Sequence, residues 1–373
     1  MSEPLFIEKG WLHVYRMFDV ADEIDLEKAI ALSKQAVTRL KLSREGSQYL
    51  EVPNPPIAFL LGQRPVAHKG GTTSAEVIAR LFDHGAVSIQ LRLPLPAGTT
   101  LGDLAPLADE IYDSPGVDQL ARAEAEALAK NMSEAFKKPH FWEGSEDYHV
   151  IFVEQFRTKP SGDEILRREN LARLILGETT TSKKLSDHQQ WDVTKHAFSY
   201  FEDDLAVIDW NCAFVYEPSG SRDIPDILEI ATAQLLEMRY YDDVLDKQLT
   251  RLYDEMEKKH RSFRSLWRSD YAALRREVMV LMLEIAEFTE RVENSLKVVG
   301  DFYLGRVYRA AVRRFRIPTW QESVDRKESL VRQIYELLNG EVEHGRMFVL
   351  EATIVVLILF EFLLPLYQVL NKP

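Results

Sequence analysis

LEATIVVLILFEFLLPLYQVLNKP, residues 350–373, closes a chain whose formal net charge is -13. The window 348–370 holds sixteen Phe, Val, Leu or Ile residues among its 23. A helix of that length reaches about 34 Å, enough to cross a bilayer core of about 30 Å. Each of those side chains gains roughly 0.3–0.6 kcal/mol at a membrane centre, on the order of 5–10 kcal/mol together, whereas a mid-membrane carboxyl such as Glu361 costs about 2.5–3.5 kcal/mol. Glu351 sits nearer the water interface and costs less. The stretch is therefore expected to form a transmembrane helix. A helix of the protein core, or a hairpin dipping into one leaflet, is the alternative.

Working outward, the start MSEPLFIEKGWLHVYRMF carries acidic residues and no uninterrupted apolar run, which is unlike a secretory signal or an Arg-rich presequence. The expected anchor is thus C-terminal, a tail anchor with the bulk of the chain cytoplasmic. Arg346 and the arginines between 306 and 316 precede it, as the positive-inside tendency requires. The single cysteine, Cys212, has no internal disulfide partner. The acidic balance argues against a general nucleic-acid coat but leaves local basic patches open.

Runs of β-branched and aromatic character recur at WLHVYRMF (11–18), PIAFLLG (56–62), AVSIQLRLPL (86–95), YHVIFVEQF (148–156) and DLAVIDWNCAFVYE (204–217). Helical spacing appears between them, at 25–42 and 117–137 and more weakly at 163–176. After the turn-rich EPSGSRDIP (217–225), Leu228, Ala231, Leu235, Met238, Leu245, Leu249, Leu252 and Met256 follow a three-four heptad rhythm, with Asp242 or a slightly rotated Tyr241 in the missing slot. A second ladder runs from Trp267 through Leu274, Val278, Leu281, Ile285, Phe288 and Val292 to Val299. The polar break KKHRSFRS between the ladders predicts an antiparallel hairpin. The expected fold is an α+β N-terminal domain over 1–217, a long coiled-coil-like helical hairpin over 222–300, a basic helix and membrane-proximal stalk over 301–347, and a transmembrane helix over 348–370.

Catalytic patterns are sparse. The histidines never adopt an H-E-x-x-H spacing, so no metal is expected. HKGGTTS (68–74) has phosphate-cradle residues without the G-x-x-x-x-G-K-[ST] order, and reads as a loop. Cys212 has no base beside it and reads as a buried thiol. The acidic set Glu237, Asp242, Asp243 and Asp246 reads as a solvated helix face. No catalytic residue and no cofactor follow from these patterns.

Two features carry more weight. Arg306, Arg309, Arg313, Arg314 and Arg316 interleave with Leu304, Tyr308, Val312 and Phe315, and the first three arginines share one helix face. Such an element suits the acidic hairpin, anionic headgroups, or the phosphates of an RNA-rich partner. Glu351 and Glu361 lie inside the apolar run, where an ionisable group usually faces protein or water and so suggests self-association or a partner helix.

LEATIVVLILFEF, with glutamates ten apart, resembles the C-terminal L-E-W-(apolar run)-E signature of the "required for meiotic nuclear division" family, also called the YagE-like domain of unknown function. FDVADEIDLEKA (18–29) is similar to that family's early strand-to-helix turn, and IPTW (317–320) to its Pro-x-x-x-Trp region. The resemblance implies a mixed domain, long helices and a terminal membrane segment. It implies a cell inner membrane location, or a mitochondrial inner membrane in a eukaryote, and carries over no catalytic residues. The combined expectation is a non-enzymatic, membrane-anchored scaffold that tethers partners. The alternatives are an enzyme or nucleotide-binding domain within 1–217, or an RNA- or ribosome-docking factor using the arginines at 306–316.

Overall fold

The computed structural model describes residues 4–33, 35–42, 49–179, 183–260, 270–294, 297–299 and 303–370. Its strands are β1 (Ile7–Asp19), β2 (Ala21–Ile24), β3 (Val37–Arg39), β4 (Tyr49–Glu51), β5 (Ile57–His68), β6 (Gly71–Leu81), β7 (Ala86–Pro94), β8 (Phe136–Pro139), β9 (Glu146–Phe156), β10 (Ala197–Phe198), β11 (Leu205–Ile208), β12 (Cys212–Tyr216) and β13 (Lys297–Val299). Its helices are α1 (Leu26–Leu32), α2 (Leu101–Tyr112), α3 (Pro115–Asn131), α4 (Gly162–Leu166), α5 (Glu169–Ile175), α6 (Asp187–Thr194), α7 (Asp223–His260), α8 (Asp270–Asn294), α9 (Tyr303–Arg314) and α10 (Ile317–Leu370). The chain divides into two compact units, residues 1–240 with 291–321, and residues 241–290 with 322–373.

The first unit is built on a nine-stranded sheet in the order β10-β11-β12-β9-β1-β7-β6-β5-β3. Its pairings are antiparallel except β12 with β9, which run parallel. Period-two alternation sorts its side chains. Leu12, Val14 and Phe18 of β1, Val87, Ile89 and Leu91 of β7, and Ile151 and Val153 of β9 point to one side. There they join Leu104, Ala108 and Ile111 of α2, Val117, Ala121 and Ala125 of α3, and Leu171 and Ile175 of α5 in one apolar core. Local chemistry sets the helix starts: Asp25 accepts from the Lys28 amide, and Thr100 with Asp103 forms a capping box.

The other side of the sheet is equally dry but mixed, with Met17, Val150, Phe152 and Val215 buried beside polar groups. His13, Ser88 and Gln90 are buried, and Tyr15 is fully enclosed. Gln90 Nε2 donates to the Tyr15 hydroxyl at 2.9 Å and lies 3.1 Å from His13 Nδ1. Arg80 reaches across to α7, with its guanidinium 2.9 Å from Asp226 Oδ1 and 2.6 Å from Glu229 Oε2. Burial, and then Arg92, Arg222 and Arg80, hold His13 well below its usual pKa, so the imidazole is neutral. Burial also lifts Glu229, partly opposed by Arg80.

In the second unit, Leu245, Leu249 and Leu252 of α7, Leu274, Val278, Leu281 and Ile285 of α8, and Val324, Val331, Ile334 and Leu338 of α10 are buried. At the heptad slot of Asp242, Lys327 of α10 lies 2.7 Å from Asp242 and 2.7 Å from Asp246. Arg251 pairs with Glu277 of α8 at 2.7 Å. Residues 261–269, which contain most of the expected polar break and Trp267, lie outside the described residues, as does Leu296.

The membrane expectation is corrected. Among the described residues no helix is long and apolar enough to cross a membrane. The run 348–370 is instead the end of the 54-residue helix α10, which continues from the packed residues above through Gly340. The physical reason lies in Glu351 and Glu361, which leave nine residues between them, about 14 Å of helix against a core of about 30 Å. The expected transmembrane helix is therefore replaced by a mixed-sheet unit and a helical unit. The tail anchor, the membrane as partner and the inner-membrane location fall with it.

Two stability tests follow. Gly85, in the β6–β7 turn, has φ +107, and an added Cβ would sit 1.7 Å from the Ala21 carbonyl oxygen. Gly85→Ala is expected to cost about 3 kcal/mol or more, read as a lower urea midpoint. His149 is pushed down to about 3 by burial and then by Arg16. Because the folded value lies below the unfolded one, the unfolded chain takes up a proton that the native chain refuses. Stability from this group therefore drops as pH falls from about 6.5 towards 3, by on the order of 4–5 kcal/mol. His149→Gln should flatten that part of the stability curve, and an unchanged slope would contradict the assignment.

Candidate nucleic-acid interface

Helix α9 packs its Val307, Tyr308 and Ala311 inward, and Phe315 follows on the same side. Tyr308 Oη donates to Gln234 Oε1 of α7 at 2.6 Å, and the Phe315 ring meets Tyr148 of β9 at 5.0 Å between centroids. With that face fixed, the arginine spacing aims the other face outward. Arg306, Arg313 and Arg316 are exposed, and Arg309 and Arg314 are half-buried. The helix ends at Arg314, and Arg316, with φ +58, turns the chain so that α10 starts at Ile317.

Arg314 is the anchor of the group. Its Nε donates to Asp209 Oδ1 at 2.7 Å. Asp209 is 3% exposed and also accepts from the Trp210 amide at 2.6 Å, while its carbonyl accepts from the Tyr148 hydroxyl at 3.1 Å. Arg306, Arg313 and Arg316 have no carboxylate partner among the described residues. Three cations in an acidic protein are thus left to solvent.

Exposed rings lie on α6 and on the turns at either end of β11. Trp191 is 59% exposed, Tyr200 51%, Phe201 60% and Trp210 64%. Asp204 shapes the turn that carries two of them, accepting from the Tyr200 amide at 2.7 Å, the Phe201 amide at 2.9 Å and the Ser199 hydroxyl at 3.0 Å. Tyr200 is braced by Phe201 and by Tyr303 of α9, at centroid distances of 4.7 and 5.4 Å. Lys195 lies over Trp191 at 5.2 Å. Partial burial, and then Arg314 and Lys195, push His196 below its usual value, opposed by Asp209 and Asp192.

The sequence singled out the arginines but missed the rings. Their signal was the pairing of Tyr200-Phe201 and Trp210 with turn-forming Asp204 and Asp209, in segments too short to bury them. Glu351 and Glu361, also singled out, are exposed on α10 in the other unit. HKGGTTS forms the β5–β6 hairpin, and its Lys69 amide is taken by Glu110 at 2.6 Å, an anionic neighbour unsuited to phosphate. Cys212 is buried, its thiol raised by burial and Asp209, and it donates to the Ile175 carbonyl. No group of three or more His, Cys, Asp or Glu suited to a metal ion occurs among the described residues.

A titratable cluster lies at the end of β1. His140 pairs with buried Asp19, and that bond outweighs burial to raise the imidazole. Glu146 is pushed up to about 7 by burial, offset in part by Arg239, with which it pairs. Each acid has its own cation, an arrangement that locks β1, β9 and α7 together.

The Asp209–Arg314 pair is testable. Asp209→Ala leaves a partly buried guanidinium unpaired and frees the 209–211 turn, so a loss of about 3 kcal/mol is expected in chemical denaturation. A loss below about 1 kcal/mol would place the anchoring elsewhere.

The curated protein "Uncharacterized protein MJ0711" of Methanocaldococcus jannaschii is 24% identical to this chain over 182 residues, 48% of this chain and 54% of that protein. The chain thus spans about half the length of the relative it matches. No solved structure matches. The resemblance to the "required for meiotic nuclear division" family is corrected here, because the matching family is a different one. The segments that carried it, a capped strand-to-helix turn around Asp25 and a proline in the first turn of α10, are local devices that unrelated folds share. Residues 9–222, more than half of the chain and including the nine-stranded sheet but for the first two residues of β1, match the family described as "Uncharacterized protein MJ0711, N-terminal domain", and the chain belongs to that family.

Proposed function

We propose that this protein is a non-enzymatic RNA-docking factor, working through the outward face of α9. The observation that carries the reading is the set Arg306, Arg313 and Arg316, exposed and without carboxylate partners among the described residues while the chain as a whole is acidic. From Arg306 to Arg313 the helix rises about 10 Å, the reach of about two consecutive phosphates, and Arg316 follows in the turn just beyond it. Guanidinium groups suit such oxygens because their planar fork donates two hydrogen bonds at once.

The net charge of -13 shapes the expected behaviour. A polyanion is repelled at long range and attracted only near this helix, so binding is local and sensitive to salt. The mixed face of the sheet supports this choice over an enzyme, because His13, Tyr15 and Gln90 are sealed from solvent.

Titration of a labelled RNA against the full chain between about 50 and 200 mM salt checks the reading. Affinity should fall linearly on logarithmic axes. Replacing Arg306, Arg313 and Arg316 by Gln together should reduce the slope by about 2, at roughly 0.7 per single-strand phosphate contact. Salt-independent binding, or none at 50 mM, would defeat the proposal.

A further inference from the structure

We infer that Trp210, Phe201, Tyr200 and Trp191 form a platform for unstacked bases, so that the RNA held by α9 is single-stranded; this deepens the docking reading and rests on it. Large aromatic side chains are normally buried, and four so exposed, three on the turns flanking β11 and Trp191 on α6, need an occupant. The occupant is chosen by the charge beside them. Rings with unpaired arginines match a polynucleotide strand, in which phosphates and π-faces alternate.

The platform is also preorganised. Buried Asp204 fixes the backbone that presents Tyr200 and Phe201. Buried Asp209 holds the Trp210 amide and the Arg314 guanidinium with the same oxygen, so ring and cationic stripe keep a fixed separation. A duplex keeps its bases stacked inside and offers these rings nothing, whereas a single strand can splay bases onto them.

Glu202 and Asp203 are exposed in the same turn as Tyr200 and Phe201. Carboxylates there repel phosphates and accept only from donors, which base amino groups supply in either nucleic acid and the ribose supplies in RNA alone. A ribose 2′-hydroxyl can donate to them, which selects RNA over DNA.

The test uses the full chain with a 12-nucleotide RNA, the same sequence as DNA, and the RNA as a duplex. Single-stranded RNA should bind at least ten times more tightly than the duplex, with quenching of tryptophan emission. Trp210→Ala and Phe201→Ala should each weaken single-strand binding about 5- to 150-fold and leave duplex binding unchanged, and Trp210→Tyr should restore most of the loss. Equal single-strand and duplex affinities, or silent alanine variants, would overturn the platform while salt-dependent docking on α9 survived. Equal binding of the DNA strand would overturn the role given to Glu202 and Asp203. No salt-dependent binding of any of the three would remove the docking reading itself.

Discussion

Much of the first unit depends on a single buried charge. Glu229 of α7 is 1% exposed, and its carboxylate lies against Arg80 of β6, which also holds Asp226. Burying these ions away from water is costly, and only close mutual contact offsets the cost. Burial favours deprotonating Arg80, but the two carboxylates outweigh it and keep the guanidinium charged. For Glu229 the balance falls the other way, and its carboxyl stays above the ordinary range. The interaction therefore does more to place α7 than to stabilise it. A helix laid on an apolar sheet can slide by a turn, whereas one carrying two acids opposite one arginine has a single register.

That register propagates. Once α7 is placed, Gln234 meets the Tyr308 hydroxyl and orients α9. Asp209, at the end of β11, then fixes the arginine-bearing end of α9. The outward direction of Arg306, Arg313 and Arg316 is thus settled by what the opposite side of their helix must bury.

Legibility followed the physics of each segment. The apolar runs at 11–18, 86–95 and 148–156 coincide with β1, β7 and β9, because central strands buried on both faces read as continuous hydrophobic stretches. The run at 204–217 is interrupted by the 209–211 turn into β11 and β12, which a composition window does not see. Strand β6 was hidden, because its first residues, GTTS, carry the polar chemistry of a loop and its pattern becomes apolar only from Ala75. The apolar tail misled by total hydrophobicity, since Glu351 and Glu361 count little in a sum but much in how far an unbroken apolar surface extends. The arginines were visible as a periodic pattern. The rings were not, because exposure of a Trp or Phe depends on turns organised by Asp204 and Asp209 from distant neighbours.

The parallel seam between β9 and β12 has a consequence for assembly. Elsewhere in the large sheet, β5, β6 and β7 join by short hairpins, but β12 reaches β9 only after α4, α5, α6, β10 and β11 have intervened. Closing so wide a chain excursion is entropically expensive and gains little until the edge lands. The flap of β10, β11 and β12 therefore joins the sheet through a non-local pairing, as β1 does with β9, and the ring-bearing turns depend on that pairing being made. Without it the interior itself would be short of Leu205, Val207, Cys212, Phe214 and Tyr216.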